Sequence, residues 1–400
     1  MNGVSDPISD KAGVEPPAPQ WQPTAWGLFV MFLRIGATSF GMTMLENLRR
    51  AAMRRRLVSE QEMREGLALV QLYPGPIMFD LVTFIGYRRR GTVGAFTAAT
   101  GFILPATLLM LAAAWAYTQF GGLPSLRRLS QGLSALVVGI MVHITFDFAR
   151  KNLIGTIHAI LAITAFIATL AQVDPVIVIF LALAIGAVAF HTEVVPPLPS
   201  AQPALGRLIV PLTVAGIVLA GALSAALSNS LLGQLSLAFL KIGATAFGNA
   251  ATILPVMQDV VVGRHAWLAP AEFNLAIALG NLTPGPVLNS ATFVGYRVAG
   301  PLGGLAATIA VFAPSFAMTL FMTELYEWVR RRNAVRAAIQ GVMAAFVGLL
   351  AATTFGMAKP IIGDTSAMLA AGVTLLALVA EVPVILVFAV GAPIWWILAG

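Results

Sequence analysis

The nine residues LRIGATSFG at 33–41 return as LKIGATAFG at 240–248, and the recurrence continues downstream. YPGPIMFDLVTFIGYRRRG (73–91) lines up with TPGPVLNSATFVGYRVAG (283–300), Pro105 with Pro314, Gln131-Gly132 with Gln340-Gly341 and Val138-Gly139 with Val347-Gly348. The offset stays between 207 and 210 for more than a hundred residues. A chain that repeats itself in this way is a fused duplication, so each half must fold into the same elements and pack against its copy. It divides into a polar N-terminal tail (1–23), a first repeat (24–190), a linker with an extra apolar segment (191–232) and a second repeat (233–400).

Composition decides what solvates those halves. Of the 400 residues, 58% are hydrophobic and 10% charged, with a mean hydropathy of +0.86. Soluble domains carry about 25% charged residues, so this chain cannot cover a water-facing surface and is solvated mainly by the lipid bilayer. Residues 1–23 hold five prolines, three acids and one lysine ahead of any apolar run, which predicts a disordered tail and not a secretory signal. From residue 24 on, many apolar segments approach the roughly 20 residues that cross a bilayer as a helix. The thirteen candidates are 24–44, 65–86, 93–118, 132–148, 152–171, 174–190, 208–227, 233–256, 272–295, 302–323, 338–358, 364–380 and 382–398. The expected fold is an all-α polytopic membrane protein. Its 24 Lys+Arg against 17 Asp+Glu give a net charge of +7, which in such a chain reflects loops held on the cytoplasmic side and not a nucleic-acid partner. Cysteine is absent, which excludes disulfides and thiolate metal sites.

Segments 65–86 and 272–295 are interrupted by Pro74-Gly75-Pro76 and Pro284-Gly285-Pro286, each of which removes two backbone donors and cannot continue a helix. Broken helices in corresponding places of two repeats mark the substrate sites of many secondary transporters. Ordinary proline kinks are the other reading, but the flanking Gln71, Asp80, Asn281, Asn289 and Ser290 suit a cavity better than a packed seam. Loop charge favours inverted repeats. With the broken segments as re-entrant hairpins, fifteen loop cations fall on the cytoplasmic side and five on the other, whereas letting every segment cross splits them almost evenly. The five crossings of the first half plus segment 208–227 make six, an even number that would leave the halves parallel, so inversion requires one weak segment not to cross.

Arg34 and Lys241 occupy matching positions in the middle of apolar segments. A cation at that depth costs roughly 2.5 to 3.5 kcal/mol on insertion scales and normally faces a cavity, a counter-ion or a substrate. Snorkelling to the interface is the alternative. One cation from each half beside two broken helices, whose N-termini present unpaired N–H groups, makes a candidate anion site. Gly41, Gly75, Gly248 and Gly285 would let backbone approach a ligand, and Gln71, Asn249, Asn281 and Asn289 add polar groups. Gly36 and Gly243 read instead as packing glycines. Asp80, four residues beyond Pro76, is a candidate either for carrying a coupling proton or for a structural ion pair, and Asn289 or Ser290 stands in its place in the second half. His143 and His158 lack a second ligand at suitable spacing, so no metal is expected. No P-loop, G-x-S-x-G or H-E-x-x-H is present, which argues against an enzyme, and nothing calls for a cofactor.

The repeated motifs carry a resemblance to a known family. FLKIGATAFGNAATILPVMQDVV and APAEFNLAIALGNLTPGPVLNSATFVGYRVAGPLGGLAATIAVFAPS resemble the chromate ion transporter family in its long, two-domain form, over essentially residues 28–398. Its most specific parts are the Phe-Gly turns (Phe40-Gly41, Phe247-Gly248), Pro-Gly-Pro with Gly-Tyr-Arg downstream (86–88, 295–297), and Pro105 and Pro314. Family members usually continue the Phe-Gly turn with a second Gly and a nearby Pro, whereas this chain has Gly41-Met42-Thr43 and Gly248-Asn249-Ala250. Arg56-Leu57 also stands where a Trp is common, while the second half keeps Trp267. The resemblance implies a secondary transporter of the bacterial inner membrane that exports chromate and confers chromate resistance, with sulfate as a chemically similar competitor. Transport of sulfate or another small anion, and a non-transport membrane scaffold, are the alternatives. A homodimer is compatible with the sequence and not required by it.

Overall fold

The computed structural model describes residues 23–40, 43–190, 205–228, 230–246, 250–329 and 333–398. The tail over 1–22, the linker residues 191–204, and Gly41, Gly248 and Asn249 among the candidate site residues lie outside the described residues. Among the described residues there is no strand. The first half comprises α1 (Ala25–Thr38), α2 (Thr43–Arg54), α3 (Glu60–Leu69), α4 (Ile77–Phe120), α5 (Pro124–Asn152), α6 (Thr156–Leu170) and α7 (Pro175–Ala189). After α8 (Leu205–Leu227) the second half follows with α9 (Leu231–Ala244), α10 (Leu254–Gln258), α11 (Pro270–Leu282), α12 (Ser290–Val329), α13 (Asn333–Ala358), α14 (Thr365–Val379) and α15 (Val384–Leu398). By length and composition, five of these helices suffice to cross a membrane: α4, α5, α8, α12 and α13.

The 44 residues of α4 do not form one rod. At Arg90 (φ −142°, ψ 29°) and Gly91 (φ 56°, ψ −146°) the helix folds back on itself. Its arms, 77–89 and 92–120, then pack so closely that a Cβ on Gly86 would lie 2.3 Å from the Gly94 carbonyl oxygen. In α12, Ala299 (φ −140°, ψ 29°) and Gly300 (φ 65°, ψ −161°) make the same turn, and Gly295 meets the Gly303 oxygen at the same distance. Positive φ at the second turn residue is why glycine stands at 91 and 300, since an L side chain there costs about 1–2 kcal/mol.

Two sequence expectations change here. Segments 24–44 and 233–256 are not continuous helices: α1 stops at Thr38, with Ser39 extended, and α9 stops at Ala244. Arg34 and Lys241 therefore sit near helix C-termini and not at mid-helix, and Lys241 lies in the last turn of α9. A cation is favoured there by the negative end of the helix dipole. The arginine-rich stretch expected to be loop contains the helix α2, whose Arg50 pairs with Glu46 at 3.2 Å and whose Arg49 pairs with Glu60.

The halves interlace. Within each half, α1 packs on α4 and α9 on α12, while across the halves α4 touches α12, α5 lies against α14 and α15, and α13 lies against α6 and α7. Gly139 on α5 abuts the Ala371 carbonyl at 2.4 Å from a built Cβ, and its counterpart Gly348 on α13 abuts that of Ala162. This close crossing explains the repeated Val-Gly pair. Helix α8 packs chiefly on α9 and α12 and leaves most of its apolar surface, including Leu219 and Leu227, exposed.

Candidate functional site

Helix α3 and the first arm of α4 form a V whose tip is Tyr73-Pro74-Gly75-Pro76. The base is closed by Glu62, which completes a capping box with Ser59 at the start of α3 and accepts from Arg89 Nη2, with Arg88 Nη2 at 3.8 Å. In the second half α11 and the first arm of α12 form the matching V. Glu272 accepts from Ala269 N–H (3.3 Å) and from Arg297 Nη2 (3.0 Å), while Arg297 also lies over the Tyr117 ring. The Gly-Tyr-Arg motif thus ties the far end of each half-helix to the start of its partner, and each pair of helices enters and leaves on one side.

Each tip is held by the opposite half. Gly75 N–H donates to the Ala246 carbonyl just past α9 (2.5 Å), and Gly285 N–H donates to the Ser39 carbonyl just past α1 (3.2 Å). Proline carries no N–H, so these are the only backbone donors of the two triplets, and each is spent on the opposite half. The groups that the half-helices leave unpaired are those of their first turns, residues 77–79 and 287–288.

Behind the first tip, Asp80 is completely buried. Its Oδ1 accepts from the Ser315 hydroxyl and from Thr319 Oγ1 (3.2 Å), both on the second arm of α12. Tyr73 OH donates to Thr319 Oγ1 at 2.8 Å. Oδ2 has no partner and lies directly under Gly75, where a Cβ would sit 2.0 Å from it. Behind the second tip, a short 3₁₀ turn, Val287–Asn289, precedes α12. Asn289 is also completely buried, and neither its Oδ1 nor its Nδ2 has a partner.

The remaining candidates are spread around these tips. Pro76, Pro284 and Pro286 are buried, Pro74 and Gly285 half-buried, and Gln71 is exposed. Asn281 spends its amide N–H on the Ile277 carbonyl of its own helix (2.9 Å). Arg34 and Lys241 are exposed, and among the described residues neither has a salt-bridge partner. Each lies five residues before the carbonyl that holds the opposite tip. Lys241 also acts on His265, in the loop before α11 and outside the membrane-spanning segments. Burial, then Arg264, then Lys241 hold that imidazole below its ordinary range. The other acids near segment ends have local tasks: Asp147 pairs with Lys151, Asp174 caps α7 and pairs with Arg264, and Asp364 caps α14. Among the described residues no cluster of His and carboxylates could hold a metal ion.

Sequence reasoning missed Ser315, Thr319 and the two base carboxylates. A signal for the hydroxyl pair was present: Ser and Thr four apart follow Pro314, whereas Ala106 and Met110 follow Pro105 at the same spacing.

Duplicated, interlaced helices whose broken pairs are each held by the opposite half define a polytopic membrane protein of internally repeated type. Profile comparison says which one: the chromate transporter family matches twice, over residues 26–187 and 233–396, and the chain belongs to that family. It is 30% identical to the chromate transport protein of Cupriavidus metallidurans over 94% of this chain and 92% of that relative. It is 32% identical to a chromate transport protein of Pseudomonas aeruginosa, covering 83% of this chain and 80% of the other. An uncharacterised transporter of Methanocaldococcus jannaschii is 30% identical over 84% and 85% of the two chains. No solved structure matches the chain.

Proposed function

We propose that the protein is a secondary transporter that exports chromate across the inner membrane and thereby confers chromate resistance. The observation that carries the reading is the reciprocal locking of the tips, Gly75 to Ala246 and Gly285 to Ser39. Each tip is held by the other half, so rocking one half against the other must remake both contacts, as alternating access requires. The oxyanion is received at the second tip by the first-turn N–H groups at 287–288 and by the Asn289 amide. Arg34 and Lys241 supply charge at the approaches. Pro74, Pro76, Pro284 and Pro286 keep the tips out of helical geometry, while Gln71 and Asn281 flank them. Inverted repeats place the two approaches on opposite faces of the membrane.

Expulsion of a dianion from a cell negative inside gains about 2.3 kcal/mol per charge per 100 mV. In inverted vesicles, labelled chromate should therefore accumulate when the lumen is made positive, and sulfate should compete. Arg34→Ala and Lys241→Ala should each slow that uptake. Uptake that ignores both substitutions would remove these cations from the site, and a parent that moves no oxyanion at any potential would end the transport reading.

A further inference from the structure

We propose that duplication has given the two tips separate tasks: the Asn289 tip contacts the oxyanion, and Asp80 at the other tip carries a proton that is exchanged for it. This rests on the transport reading above. The two tips match in backbone and differ in what lies behind them. At the first, a carboxyl group is held at Oδ1 by Ser315 and Thr319 while Oδ2 is left free under Gly75. At the second, a neutral amide has both polar ends unpaired. Its Nδ2 lies 3.3 Å, and Ala106 Cβ 3.2 Å, from the position a Cβ on Gly285 would take. Ala106 and Met110 stand where Ser315 and Thr319 stand in the other half, so no hydroxyl of the opposite arm serves Asn289.

A buried amide with neither end satisfied is rare in folded proteins and calls for a reason. Asn289 offers two N–H donors beside a helix N-terminus, which suits an oxyanion. A carboxylate in the same place repels one. Asp80 is suited to the opposite cargo. Helix α4 as a whole packs against α1, α3, α11, the 3₁₀ turn at 287–289 and α12. The charged groups of those helices are elsewhere. Arg34 is exposed; Glu62 and Glu272 close the bases with Arg88, Arg89 and Arg297; Glu324 accepts from Tyr87; and Glu60, Arg64 and Glu65 lie along α3 away from the tip. Among the described residues Tyr73, through Thr319, is the one titratable group linked to Asp80, and no cation lies in a salt bridge with it. A carboxylate with no cation beside it and one free oxygen binds a proton: an O–H bond forms at Oδ2 with a proton from the outer face and breaks with its release to the cytoplasm, as the anion travels outward. The Ser315 hydroxyl donates to Oδ1, while the single proton of Thr319 is shared between Oδ1 and the Ser315 carbonyl at 2.9 Å.

Two assays on the full-length protein in proteoliposomes separate this inference from the transport reading. Counterflow of labelled chromate without any gradient reports anion binding and alternation. Net chromate movement with the potential clamped at zero by valinomycin and potassium reports coupling. The parent should show both, and its steady-state chromate ratio should change about tenfold per unit of pH gradient for one proton per anion. Asp80→Asn, which keeps both hydroxyl contacts, should retain counterflow and lose the response to pH. Asn289→Asp should raise the half-saturating chromate concentration about tenfold or more in counterflow. Should Asp80→Asn fail to fold, Ser315→Ala, which strips one donor from Oδ1, should keep counterflow and move the pH of half-maximal net export. The proposal is overturned if the parent ignores the pH gradient or follows a sodium gradient instead, if Asp80→Asn still follows pH, or if Asn289→Asp exchanges chromate like the parent. Absence of counterflow in the parent would overturn the transport reading and this one with it.

Discussion

Replacing Gly36 with alanine tests the packing that positions the site. A Cβ at Gly36 would fall 2.1 Å from the Phe102 carbonyl oxygen and 2.9 Å from its carbon, against 3.4–4 Å for ordinary contact. Both groups are backbone, so no side chain can swing aside, and α1 must move off the second arm of α4 by more than an ångström. Overpacking of this kind costs about 1–3 kcal/mol, and an immovable backbone carbonyl puts the site at the upper end. Alanine recovers about 1 kcal/mol of helix propensity, leaving the variant about 2 kcal/mol less stable. Gly221→Ala on α8, where nothing lies within 4 Å, should show only the gain, so the two variants should differ by about 3 kcal/mol. Gly243→Ala meets the Val311 oxygen at the same 2.1 Å and should match Gly36→Ala. The assay is the loss of a monodisperse peak on size exclusion after heating in detergent. Gly36→Ala surviving to the temperature of Gly221→Ala would refute the packing argument. Unequal behaviour of Gly36→Ala and Gly243→Ala would refute the equivalence of the two halves.

Further outcomes follow from the bases of the Vs and from the loop before α11. Glu62→Gln should destabilise more than Glu272→Gln, because Glu62 serves the Ser59 cap and two arginines, one of them almost wholly buried, while Glu272 serves one; protease protection of the tips in proteoliposomes would rank them. For His265 the folded imidazole is held below 6.5 by burial, Arg264 and Lys241, so the unfolded state binds more protons in that window. Its contribution is therefore present above pH 6.5 and lost as pH falls through the folded value. His265→Gln should remove that part of the acid-side loss, and melting curves collected between pH 5 and 7 that coincide for parent and variant would contradict it.

How much of this was legible beforehand depended on whether the signal was local. The tips were, because Pro-Gly-Pro breaks a helix wherever it stands, and finding it twice at one offset placed both breaks in a duplicated frame. The ends of α1 and α9 were not. Apolar residues continue past Thr38 and Ala244, and the helices stop because Ser39 and Ala246 turn their carbonyls to the opposite tips, a tertiary demand that composition does not carry. Arg34 and Lys241 consequently lie near helix ends and not at mid-helix. Glu62 and Arg88 are 26 residues apart and look like two unrelated loop charges until the chain between them is folded into a V. The loop-charge tally had already favoured re-entrant hairpins, and the pairing gives a physical reason for the arginines at 88 and 89.

One ambiguity in the sequence, whether Asn289 or Ser290 replaces Asp80, is resolved by helix geometry. Seven residues separate Pro76 from Thr83 but six separate Pro286 from Thr292, so the second half is one residue short just behind its tip. The first half starts its arm as α-helix at Ile77, while the second starts with the 3₁₀ turn Val287–Asn289. Four α-helical residues rise about 6 Å, and three 3₁₀ residues rise about 6 Å as well. The tighter turn absorbs the deletion and keeps the arm in register, so the third residue of one arm lands where the fourth residue of the other does. Asn289 therefore occupies the place of Asp80, and Ser290 turns aside toward Met257 Sδ at 3.8 Å. Restoring one residue between Pro286 and Asn289 should convert the 3₁₀ turn to α-helix and leave the transmembrane arms unmoved. The difference in length thus leaves the helices behind the two tips in register, and it is the Asp80/Asn289 difference in side chain that makes one seat a carboxyl and the other an amide.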